Sequence, residues 1–281
     1  MDNKETKMVK RFYTANTDRE WGRLLRDPFH QLELEMSLRL LKKYLPKKGL
    51  ILDAGGGPGR YTIELAKMGY EVVLLDLVAK NLEFAKTQIK KAKVEKQVKA
   101  IVQGSITDLS QFKSNSFNAV ICLGGPLSHV HPKSQRQKAI SELIRVAKKV
   151  SPIFISVIGK YAVLLRTPSG WPQNVADKKY FANLAFEGQD YRWVKNGFCH
   201  FFTLEEFEQL FKKRKVKIIK KVGLEGLNIE PIATTNFAKK YPKAWKNWLA
   251  IHQKMCSDPF VIDASGHMMF IMKKVLKKAG K

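Results

Sequence analysis

At 281 residues with 44% hydrophobic content, the chain can bury one large α/β core with appended elements, and two small domains fit it less well. No apolar run approaches the roughly 18–20 residues that span a bilayer. Met1–Glu5 lacks an apolar leader core, and Cys122, Cys199 and Cys256 are far apart with no C-x-x-C spacing. Membrane, secreted, disulfide-framework and zinc-site classes are therefore not signalled, and a cytoplasmic protein with no metal is the expectation. The formal net charge of +26 raises RNA or another polyanion as a partner. Its basic residues are dense in 86–99, 212–221 and the tail after Lys273, a diffuse field that a solvated lysine-rich surface explains equally well.

Residues 1–48 read as a helical preface, with a second helix over Pro28–Tyr44 that Pro46 and Gly49 terminate. Tyr13, Trp21 and Arg23 are its residues most able to do more than pack. The alternative for the aromatics is anchoring a surface helix to the core. A buried-strand pattern then starts at Leu50 and runs into Asp53-Ala54-Gly55-Gly56-Gly57-Pro58-Gly59-Arg60, followed by a helical pattern to Gly69. Strand, glycine turn and helix together aim backbone N–H groups and a helix N-terminus at a nucleotide. A dinucleotide G-x-G-x-x-G would need glycine where Arg60 stands. The run fits D-x-G-x-G-x-G instead, and an acid at Asp53 suits a ligand bearing an ammonium group.

A second strand, Glu71–Leu77, ends in Asp76 about 20 residues after the turn, the offset at which a carboxylate meets a ribose. A third, Val98–Val102, leads into Gly104-Ser105-Ile106-Thr107-Asp108. The fourth, Phe117–Leu123, leads into Gly124-Gly125-Pro126-Leu127-Ser128-His129. If strands one and four flank the point where strand order reverses, this loop faces the ligand. His129 is then the nearest titratable side chain, either a proton acceptor near neutrality or a hydrogen-bonded loop residue. His129 and His131 lack further ligands at metal spacing. After the strand Ile153–Ile158, residues 159–202 form an insertion rich in aromatics, Trp171 among them, and read as a lid or substrate-binding element. The competing reading is extra core packing. Thr203 and Glu206 match a capping box, and two late strands, Val216–Val222 and His267–Met272, close the pattern.

Asp53–Gly59 resembles motif I of the class I S-adenosylmethionine (SAM)-dependent methyltransferases, and the later motifs follow in that family's order over residues 49–158. Ser105 departs from it, standing where the G-D-x-x-D-L step has its first acid. The resemblance implies an α/β fold: a three-layer α-β-α sandwich on a seven-stranded, mostly parallel sheet of order 3-2-1-4-5-7-6. Residues 1–48 would form a helical cap and 49–281 the SAM-binding domain, with 159–202 as its lid. It also implies SAM as cofactor, with Asp53, Ala54, Gly55, Gly56, Gly57, Gly59, Asp76, Leu77, Ser105, Ile106, Leu123 and Gly124 around it. Ser105, Asp108 or the backbone at Ile106 would meet the adenine. Tyr13, Trp21 and Trp171 are the candidate substrate contacts and His129 the candidate catalytic residue. The expected function is methyl transfer to a small molecule. RNA methylation is the alternative, weakened by Gly124-Gly125-Pro126-Leu127 standing where base-amino methyltransferases carry N-P-P-Y. A non-catalytic SAM-binding protein is the third, less favoured reading.

Overall fold

The computed structural model describes residues 2–193, 197–227 and 230–275. Its centre is a parallel run of largely apolar strands: β1 (Leu50–Ala54), β2 (Glu71–Asp76), β3 (Val98–Gln103), β4 (Ala119–Cys122) and β5 (Pro152–Ile158), of which the edge strand β3 exposes Lys99 and Gln103. β9 (His267–Lys274) lies antiparallel to β5, and β8 (Val216–Gly223) antiparallel to β9. The sheet order is β3-β2-β1-β4-β5-β9-β8. The expected 3-2-1-4-5-7-6 differs only in labels, because the short strands β6 (Gln189–Trp193) and β7 (Gly197–His200) pair with each other outside this sheet.

Alternation along the strands sorts the core into two layers. Leu52, Val73, Val120, Ile155 and Phe270 pack beneath α6 (Lys133–Val146) and α10 (Leu204–Gln209). Their neighbours Ile51, Val72, Ile121, Phe154 and Ile271 pack on the other face with α3 (Pro28–Tyr44) and α4 (Arg60–Lys67). On that same side Leu74 meets α5 (Ala79–Lys91). α3 spans the residues the sequence assigns it, and Leu34, Met36, Leu40 and Leu41 bury it against the sheet. α1 (Lys4–Ala15) and α2 (Thr17–Arg23) precede it.

β1 pairs with both β2 and β4, so strand order reverses between β1 and β4. In open α/β sheets that is where a crevice opens beyond the carboxyl ends of the strands. The insertion folds as α7 (Lys160–Gly170), α8 (Pro172–Ala176), α9 (Lys178–Ala182), one π turn and the β6–β7 hairpin. Pro168 sits inside α7. After the insertion Thr203 caps α10 through the Glu206 N–H (3.1 Å). The reciprocal half of the capping box is not made, because the Glu206 carboxylate pairs with His200 Nε2 at 2.7 Å instead. α11 (Pro231–Lys240), α12 (Pro242–Met255) and α13 (Pro259–Asp263) precede β9. Among the described residues no helix is long and apolar enough to cross a membrane.

Candidate active site

The turn after β1 is shaped by two glycines that no other residue replaces. At Gly55 the backbone is left-handed (φ +77°), and a Cβ would lie 2.7 Å from Pro126. At Gly56 it would lie 2.5 Å from both Asp53 Oδ2 and Leu74 Cδ1. The turn is thereby pressed between the loop after β4 and the end of β2, and it leaves backbone facing a narrow slot of about 120 Å³. Gly55, Gly56, Gly57, Asp76, Leu77, Ser105, Ile106, Leu123, Gly124, Tyr13 and His129 all line that slot.

Asp76 is 7% exposed. Its carboxylate accepts from the N–H of Gly57 and Val78, each at 2.9 Å, and from Asn81 Nδ2 at 3.2 Å. Burial pushes its pKa up and these donors pull against that. Asn81 also accepts from Thr17 Oγ1 (2.9 Å), which ties α2 to α5 across the slot.

Several expected site residues lie elsewhere. Asp53 is 1% exposed, sits behind Gly56 and is not part of the slot wall; nor is Ala54. The Asp53 Oδ2 accepts from Thr62 Oγ1 at 2.7 Å and Oδ1 has no partner among the described residues. Burial raises its pKa to about 7. Gly59 caps α4 behind the turn and is also off the wall. Asp108 is exposed and accepts from the Ser110 N–H at 3.1 Å, while Ser105 bonds Thr107 Oγ1 at 2.8 Å. Of the alternatives for the adenine contact, only Ser105 and Ile106 face the slot. Trp21 lines neither cavity. It stacks on the Arg60 guanidinium (3.5 Å), and Arg60 Nη2 donates to the Trp21 carbonyl at 3.0 Å. The aromatic thus clasps α2 to α4, because a guanidinium face is a better partner for an indole than open solvent.

A second, larger chamber of about 1100 Å³ lies beside the slot under the insertion. Trp171 is on its wall at 49% exposure. Tyr13, Glu20, Arg23 and Gly124 line both spaces. Tyr13 OH lies 2.8 Å from His129 Nε2, and His129 Nδ1 is 2.7 Å from the Phe198 carbonyl. A carbonyl only accepts, so Nδ1 carries the proton and Nε2 accepts from the tyrosine. Burial lowers the pKa of the ring to about 4. His129 is therefore neutral at physiological pH with both nitrogens engaged.

Sequence reasoning singled out Arg23 but missed its partners on the chamber floor. Arg23 forks onto Glu33 and donates through Nε to Glu20 (2.9 Å). Burial works against the Arg23 charge, and Glu20 and Glu33 more than offset it. His267 Nδ1 lies 2.6 Å from Glu225 and 3.4 Å from Glu33. Burial opposes the imidazolium there, but the two carboxylates hold the pKa above its ordinary value. Glu33, Glu225 and His267 offer ligand atoms within 4.8 Å of one another, the spacing of a metal site. Arg23 and His267 already supply that cluster with positive charge. Glu33, an acid between Leu32 and Leu34 on a buried helix face, was the one local signal available.

A family profile described as a methyltransferase domain matches residues 51–150, the stretch that builds the slot. That stretch is where the chain is similar to the methyltransferase family. The chain is 28% identical over 146 residues to the glycine/sarcosine N-methyltransferase of Parasynechococcus marenigrum (strain WH8102), covering 52% of this chain and 50% of that protein. It is 27% identical over 161 residues to a ubiquinone biosynthesis O-methyltransferase of Xanthomonas axonopodis pv. citri (strain 306), covering 57% of this chain and 62% of the relative. The chain thus spans about half to three-fifths of the length of these curated relatives. A SAM-dependent methyltransferase from Methanosarcina mazei shares the fold at a TM-score of 0.57 and 20% identity, covering 85% of this chain and 98% of its own.

The slot fits the family's cofactor. It offers the Asp76 carboxylate for a diol, apolar Leu77, Ile106 and Leu123 for a planar base, and a backbone cradle that a Cβ at Gly55 or Gly56 would disrupt.

Proposed function

We propose that this chain is a methyltransferase that passes a methyl group from SAM to a small-molecule acceptor. One observation carries the reading: Tyr13, Glu20, Arg23 and Gly124 form a wall shared by a narrow, glycine-lined slot and a roomier, aromatic-lined chamber. A donor in the first and an acceptor in the second meet at that wall. The relatives' named substrates, glycine or sarcosine and a ubiquinone precursor, favour a small acceptor over RNA.

In this reading Asp76 accepts from the ribose hydroxyls, Leu77, Ser105 and Ile106 surround the adenine, and the Gly55–Gly57 backbone passes along the amino-acid moiety. Asp53 acts through the turn it supports. When bound, SAM supplies a methyl group already activated by its sulfonium. The protein's task is then chiefly to exclude water and align the acceptor. Tyr13 gives its hydroxyl proton to a hydrogen bond with His129, which leaves its oxygen lone pairs free to accept from an acceptor N–H or O–H. His129 is a positioning residue for Tyr13, in place of the catalytic base considered from sequence.

Calorimetry with SAM and with NAD tests the cofactor: uptake of SAM alone is expected, and a preference for NAD overturns the reading. Binding to RNA measured against salt tests the acceptor class. Weak, flat binding is expected; a steep negative slope would transfer the assignment to RNA.

A further inference from the structure

The charges around the chamber are unequally satisfied. Every acid on its wall has protein partners. Glu20 and Glu33 accept from Arg23. Glu225 accepts from the His267 N–H (2.7 Å), His267 Nδ1 and Ser265 Oγ (3.1 Å). Asp190 accepts from Tyr180 OH (2.7 Å) and the Arg192 N–H (2.6 Å). Among the cations, Arg192 pairs with Asp177 at 2.6 Å and Arg26 with Asp27 at 3.2 Å.

Arg166 differs. Its Nε donates to the Ala162 carbonyl of its own helix at 2.9 Å. Among the described residues its two terminal nitrogens make no hydrogen bond, and no carboxylate forms an ion pair with it. It is neither a rim residue nor loose: α7 is anchored by buried Ala162 and Thr167 on either side, and Phe29 lies 5.7 Å from the guanidinium carbon. Arg19, also unpaired, is by contrast exposed at the edge.

We propose that the acceptor carries an oxyanion, a carboxylate or a phosphate ester, gripped by the Arg166 guanidinium. This rests on the reading of the chamber as the acceptor site. A guanidinium presents two parallel N–H donors that match either oxyanion, and it remains charged in a partly apolar wall. Phe29, Val163, Trp171 and Leu184 line the same chamber and give an apolar body on the ligand a surface to pack against.

The test uses the full chain loaded with S-adenosylhomocysteine and three probes of one shape: benzoate, phenyl phosphate and neutral benzamide. Calorimetry is expected to give at least one anion about tenfold or more advantage over benzamide, the scale of a hydrogen bond to a charged group. The tighter anion identifies which oxyanion the site prefers. Arg166→Gln should erase the advantage and Arg166→Lys keep part of it, while SAM affinity stays within about twofold because Arg166 is not on the slot. Equal binding of all three probes, binding of none, or an anion preference that survives Arg166→Gln overturns the proposal. Failure of the wild-type chain to take up SAM would instead defeat the cofactor reading beneath it, so the two failures are distinguishable.

Discussion

The slot and the chamber share one wall but are built in opposite ways. The slot is made by consecutive residues at strand ends, a turn pressed into shape by Gly55 and Gly56, and a carboxylate held by its immediate neighbours Gly57, Val78 and Asn81. The chamber draws on residues from Phe12 to His267, and its floor is a charge network that no local stretch contains. On the proposed function, cofactor recognition would rest chiefly on backbone geometry and acceptor recognition on distant side chains brought together. The first therefore tolerates little variation at fixed positions, whereas the second can be rebuilt by changing the insertion.

The sharpest way to break that contrast is at the chamber floor. Arg23→Met strands Glu33, 1% exposed, without its guanidinium. Removing one partner of a buried ion pair costs about 3–5 kcal/mol, and replacing both with apolar residues recovers much of it. Denaturant unfolding should show a loss of that size for Arg23→Met and a smaller one for Arg23→Met with Glu33→Leu. A single variant as stable as the parent would mean the floor is not a coupled network.

On the slot side, Asp76→Ala should weaken SAM binding by about 1.5–3 kcal/mol, the range for hydrogen bonds to a charged group. Calorimetry reads this directly, and an unchanged Kd would remove Asp76 from the ribose. At the shared wall, Tyr13→Phe should lower kcat up to about tenfold, one hydrogen bond's worth, with KM for SAM nearly unchanged. A change confined to KM for SAM would place Tyr13 with the slot alone.

The smallest effect concerns His129. Its ring pKa falls from 6.5 to about 4 in the folded chain. The stability it contributes is then fully present above pH 6.5 and drains away as pH falls toward 4. Nitrogen NMR should find the neutral Nδ1–H tautomer at pH 6, and His129→Gln should flatten the acid side of the stability curve between those limits. A ring that titrates near 6.5 would restore His129 as a candidate base.

Sequence alone determined the sheet, its reversal point and most of the slot. Strand periodicity, glycine spacing and the Asp76 offset are short-range signals, and strand ends bring their own neighbours with them. It did not determine that Asp53 lies behind the turn, that Trp21 clasps Arg60, or that α3 belongs to the sheet, since burial depends on what packs from elsewhere. Nor did it place Arg166, Glu225 or His267 in one chamber. Glu225 and His267 are 42 residues apart, and nothing in either neighbourhood encodes the other. Only the closure of β9 between β5 and β8, with α7 folded over the strand ends, set those charges against one another and left Arg166 on the chamber wall without a carboxylate partner among the described residues.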